Sequence, residues 1–124
     1  MAEIEIELDD EFLDHLEASV QDSAMATMET LRGEVVAAQV MPFDSGDMQN
    51  NLTSVQPLEG MTGARLETDG PYARRLYHHP EYNFQTVNNP NAQGEWLQPW
   101  LPGGSQENFA SECFAQEMRR RLPK

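Results

Sequence analysis

Asp10–Met41 reads D-E-F-L-D-H-L-E-A-S-V-Q-D-S-A-M-A-T-M-E-T-L-R-G-E-V-V-A-A-Q-V-M. Its apolar positions Leu13, Leu16, Val20, Ala24, Met28, Leu31, Val35 and Ala38 step by three or four. That spacing predicts a long helix, from Asp9 or Asp10 to about Val40, with a continuous stripe on one face. Asp9 or Asp10 is the N-cap, and Glu11 and Asp14 complement the dipole of the first turn. Gly33 is a weak spot of about 1 kcal/mol against Ala. Met25, Met28 and Met41 read as core filler. Pro42 ends the helix, because it lacks an amide donor and restricts Met41.

Ahead of the helix, Glu3-Ile4-Glu5-Ile6-Glu7-Leu8 alternates acid and aliphatic with period two. Residues 1–8 are therefore expected to form a half-buried N-terminal strand, or an arm, with the acids protecting an edge. Beyond the helix, Phe43-Asp44-Ser45-Gly46-Asp47 is a turn. There Asp44 or Ser45 caps a short helix that runs through Leu52 and sets Met48 and Leu52 four apart. Thr53–Leu58 and Ala64–Thr68 read as two strands, joined by a loop whose Gly60 and Gly63 supply positive φ. Asp69-Gly70-Pro71 is a further turn, and Tyr72–Tyr77 is either a strand or one helical turn. Ser105 is expected to cap a closing helix with Phe109, Cys113 or Phe114, Met118 and Leu122 on its apolar face. Arg119–Arg121 suit the C-terminal end of its dipole.

Pro71–Leu101 holds six of the ten aromatic residues in a stretch too rich in Pro, Asn and Gly to be one helix or strand. Residues 77–104 are expected to form a long aromatic loop, which covers or binds something. Tyr and Trp flanked by Arg is the composition of interface anchors. The candidate interface residues are Tyr72, Arg74, Arg75, Tyr77, Tyr82, Trp96 and Trp100.

A chain of 124 residues suits one domain, 1–124. No apolar run approaches the roughly 18 residues of a membrane span, and the acidic Met1-Ala2-Glu3 is no signal-peptide start. The expectation is an intracellular, unprocessed chain with no membrane partner. Cys113 is the only cysteine, so no internal disulfide forms, and it reads as a small apolar helix residue.

The net charge of −13 is carried entirely by residues 1–60, which hold fourteen acids and one base, Arg32. That half repels nucleic acid and anionic membranes, and specific nucleic-acid binding is not expected. An acidic face can instead meet a less acidic face on another copy, or simply keep the chain soluble.

Little in the chain suggests chemistry. His78-His79 are adjacent, point apart on an extended chain, and have no third ligand at metal spacing. His15 sits between acids on a helix and reads as a solvated side chain. Asp44 and Asp47 as a carboxylate pair, or His78 as a base, would make a small hydrolase. The turn explains Asp44 better as a cap. Neither a nucleophile elbow nor a phosphate loop is present. No cofactor, no metal and no enzymatic activity are expected.

The run Met41-Pro42-Phe43-Asp44-Ser45-Gly46-Asp47-Met48 resembles the V-P-x-D-T/S-G-x-L turn of small head–tail joining proteins of tailed double-stranded-DNA bacteriophages. Gly70-Pro71-Tyr72-Ala73-Arg74-Arg75-Leu76-Tyr77-His78-His79-Pro80 is similar to the Y-A-R-x-L-Y strand of that group. Together with Phe84, Asn89-Pro90 and Glu95-Trp96, the likeness is to its minor capsid branch, and it covers most of residues 10–122. The acidic N-terminal segment departs from the pattern.

The resemblance implies an α+β fold, with the long N-terminal helix and a C-terminal helix on a small antiparallel sheet and the aromatic loop at a subunit boundary. It implies a structural virion protein: a homo-oligomeric ring of the head–tail connector, or neck, involved in tail completion. Such a ring lies between portal or adaptor and tail, is assembled in the host cytoplasm, and faces passing DNA without binding it specifically. Read from the residues alone, the aromatic loop also suits an adaptor that binds a peptide or glycan.

Overall fold

Helix α1, Asp10–Ala37, dominates the subunit. It spans about 42 Å at 1.5 Å per residue. The computed structural model describes residues 2–42, 47–70, 72–84 and 86–122, with Asp47 described in its backbone only. Asp9 is the N-cap: its Oδ1 accepts from the Phe12 amide at 3.0 Å, with Asp10 and Glu11 in the first turn. At the other end Ala38 closes the helix, and Gln39 takes the left-handed conformation (φ 56°) that commonly follows a C-cap. Val40 thus lies beyond the helix and is buried with Met41.

The buried face of α1 differs from the expected stripe. Ser19, Ser23, Thr27, Leu31 and Val35, spaced by four, are its buried residues. Leu16, Val20, Ala24 and Met28 flank that line and are half-buried, while Leu13 is exposed. Small side chains at 19, 23 and 27 let neighbouring backbone approach, so the tightest contact selects size rather than hydrophobicity. Thr27 satisfies its hydroxyl by donating to the Ser23 carbonyl at 2.7 Å.

After the short helix α2, Asp47–Asn50, strands β1, Thr53–Pro57, and β2, Ala64–Thr68, form a two-stranded antiparallel sheet. Thr53 pairs with Thr68, and Pro57 with Ala64. A two-stranded ribbon is marginal alone and needs packing against a helix. α1 supplies it, running antiparallel to β1. At the hairpin end the Gln21 side chain accepts from the Gly63 amide at 2.8 Å and donates to its carbonyl at 3.1 Å. At the other end Arg32 Nε donates to the Thr53 carbonyl at 2.9 Å.

Helix α3, Ala73–Tyr77, settles Tyr72–Tyr77 as a helical turn, so the strand alternative, which the resemblance also favoured, is corrected. Helix α4, Phe109–Arg121, packs antiparallel on α1, with His15 Nε2 3.2 Å from the Arg121 carbonyl oxygen. It begins three residues later than a Ser105 cap requires. Residues 101–108 are bends and turns that tuck back, the Gln106 amide donating to the Pro99 carbonyl at 2.6 Å.

Residues 2–9 adopt no strand or helix, so the N-terminal strand expected within the subunit is corrected to an exposed arm. The expected caps Asp44 and Ser45 and the turn Phe43–Gly46 lie outside the described residues, as does Pro71. The architecture is α+β, with two long helices and a small antiparallel sheet.

Candidate functional site

Trp96 decides how the aromatic segment divides. It is only 2% exposed and belongs to the core with Leu31, Val35, Val40 and Met41. Tyr77 meets it edge-on, ring centroids 4.8 Å apart at 83°, a geometry the aromatic quadrupoles favour. Trp100, in a 3-10 turn over Gln98–Trp100, packs half-buried against the same core, as do Leu76, Leu97 and Phe109. Its Nε1 is buried with no acceptor among the described residues. Trp96 as an anchor for a neighbouring chain is therefore corrected: its ring is already spent inside the subunit.

The segment is held to the end of α1 by its amides. Asn89, buried, donates from Nδ2 to the Met41 carbonyl and to Gln49 Oε1, each at 2.8 Å. The Gln93 amide donates to the Val40 carbonyl at 2.9 Å, and Asn91 Nδ2 to the Ala38 carbonyl at 3.0 Å. Glu95 closes the other side, its amide donating to the Tyr77 carbonyl at 2.7 Å. Gly94 sits so close that a Cβ there would lie 2.7 Å from Pro80 Cα. Residues 77–104 are thus a strapped path over the core rather than one long loop.

Tyr72, Arg74, Arg75 and Tyr82 lie on the outer side. Tyr72 is 66% exposed, and both arginines are exposed. Arg75 Nε donates to Tyr82 Oη at 3.2 Å, and its guanidinium lies 5.9 Å from that ring's centroid. The hydrogen bond to Tyr82 is the main cause that raises the Arg75 pKa above its ordinary value. Tyr82 stacks on His79 at 4.7 Å and 10°, with Phe84 6.4 Å beyond. His79 Nδ1 is 2.7 Å from Glu81 Oε1, and that bond lowers the Glu81 carboxyl pKa. Within the subunit, among the described residues, neither Arg74 nor Arg75 meets a carboxylate.

Between these two sides opens a mainly apolar cavity of about 280 Å³. Val35, Met41, Leu66, Tyr77 and Trp96 line it, and Arg74 and His78 stand among its polar lining. Among the described residues no three His, Cys, Asp or Glu side chains gather as a metal set. No described helix is long and apolar enough to cross a membrane. Asp44 lies outside the described residues and the Asp47 side chain is not described, so the carboxylate pair has no geometry to weigh. Sequence reading missed the Asn89–Gln49 lock and the His79–Tyr82 stack. The first spans forty residues with no periodicity to betray it, while the short H-H-P-E-Y spacing carries the second.

Comparison with protein-family models, with curated proteins and with solved structures gives no match for this chain.

Proposed function

We propose that this chain is a non-enzymatic structural subunit of a tailed-phage particle, joining copies of itself into a ring of the head–tail connector. On this reading it sits in the neck between portal or adaptor and tail, having assembled in the host cytoplasm. The observation that carries the proposal is the ridge of Tyr72, Arg74, Arg75 and Tyr82. It presents two guanidinium groups with no carboxylate partner among the described residues, beside the exposed Tyr72 ring and the half-buried Tyr82 ring. Such groups gain most when a neighbouring polypeptide desolvates them and supplies acids. The acidic residues 1–60 of a second copy are one source.

The likeness of the Met41–Met48 and Gly70–Pro80 runs to the minor capsid branch supports the same reading. Phe43–Gly46 lie outside the described residues, and Tyr72–Tyr77 is helical where the likeness implies a strand. A second reading, an adaptor that takes a peptide or glycan, draws on the open cavity beside Trp96.

The two readings separate by sedimentation of the purified chain, alone and with any portal protein that its genome encodes. Ring-sized species in either mixture support the connector. A chain that stays monomeric in both and binds peptides or glycans in the cavity refutes it.

A further inference from the structure

The two edges of the sheet are not equivalent. Leu58 donates to Gly63 and Asp69 to Leu52 on either side of the ladder, which makes Ser54–Glu67 and Gln56–Arg65 the hydrogen-bonded pairs. Thr53, Val55 and Pro57 therefore turn their backbone groups outward on β1, as do Ala64, Leu66 and Thr68 on β2. The β1 edge is guarded: Arg32 occupies the Thr53 carbonyl, and Pro57 has no amide hydrogen. On the β2 edge no hydrogen bond among the described residues takes the outward groups of Ala64, Leu66 or Thr68.

The same molecule carries a strand without a sheet. In the arm, Ile4, Ile6 and Leu8 are 91%, 84% and 69% exposed, at the spacing that puts all three on one face of an extended chain.

We propose that residues 3–8 of one copy add as a third strand to the β2 edge of a second copy. An arm laid there turns its aliphatic face to the same side of the sheet as Leu66 and Thr68, which line the unfilled cavity. Its Glu3, Glu5 and Glu7 face the side that carries Arg65 and Glu67, which pair with each other at 2.9 Å.

The β2 edge it meets is not that of its own subunit. α1 passes the hairpin end at Gln21, eleven residues after Asp10, so its start lies about 16 Å beyond the sheet. Leu8, two residues before Asp10, is at most about 7 Å from that start. Even doubled back, the arm cannot lay Ile4–Leu8 along its own Ala64–Thr68. This contact rests on the self-assembly proposed above for its partner and names a second joint in it, apart from the aromatic ridge.

The test is amide hydrogen exchange on ¹⁵N-labelled Ile6→Pro full-length chain, alone and mixed with unlabelled wild type. Position 6 makes no contact in the subunit that Pro would break, and a thermal melt checks this. Wild-type chain should slow exchange at Ala64, Leu66 and Thr68 by about tenfold or more, and unlabelled Ile6→Pro should do so less. No slowing at β2 at the highest concentration reached, or slowing at Thr53 and Val55 instead, overturns the proposal. Rings that persist in Ile6→Pro with β2 unprotected refute the arm contact and leave the connector reading standing. Protection at β2 without rings keeps the arm contact and counts against the connector.

Discussion

Asn89 ties two distant parts of the chain through one side-chain amide. Asn89→Ala leaves the Met41 carbonyl and Gln49 Oε1 buried without their donor. The expected cost is about 2 kcal/mol, read as a lower urea midpoint at unchanged slope. Tyr77 offers a pH test. Burial, with Glu95 adding to it, raises its phenol above the ordinary 10.0. The fold thus favours the neutral ring, and that stability is present below pH 10.0 and lost as pH climbs through the raised value. Tyr77→Phe should flatten the alkaline limb of a stability–pH curve and leave the neutral region nearly unchanged. An unchanged alkaline limb would mean that Tyr77 does not feel its surroundings as described.

At the scale of elements, α1 and the hairpin were legible because apolar spacing and glycine placement are local signals. Ala64–Thr68 appears at its expected bounds, and α1 ends three residues short of Val40 because Gln39 turns left-handed. The buried serines were not legible. Ser19, Ser23 and Thr27 look like a polar face until another element presses on them. Ser23 Oγ has no partner among the described residues, so Ser23→Ala should be neutral or stabilising. Ser23→Leu overfills the same contact and should cost about 1–3 kcal/mol, measured by thermal or urea unfolding. The arm teaches the converse. Period two marked residues 3–8 as a strand, yet residues 2–9 form none within the subunit, because local pattern says nothing about whether a partner strand lies alongside.

For the whole molecule, the aromatic segment has two sides that composition could not tell apart. Trp96 and Tyr77 are fixed inward by long-range packing, whereas Tyr72, Arg74, Arg75 and Tyr82 remain outside. Trp96→Ala should cost about 3–5 kcal/mol, enough to unfold much of a marginal subunit. The triple change Tyr72→Ala, Arg74→Ala and Arg75→Ala should shift the unfolding midpoint little, because it removes one intramolecular hydrogen bond at an exposed site. Sedimentation of that triple variant beside wild type, with any portal protein that its genome encodes, tests the joint-building claim most directly. The account predicts that wild type enters a ring-sized species and that the equally folded variant does not. A variant that assembles as well as wild type, or a wild type that never leaves the monomer, would contradict it.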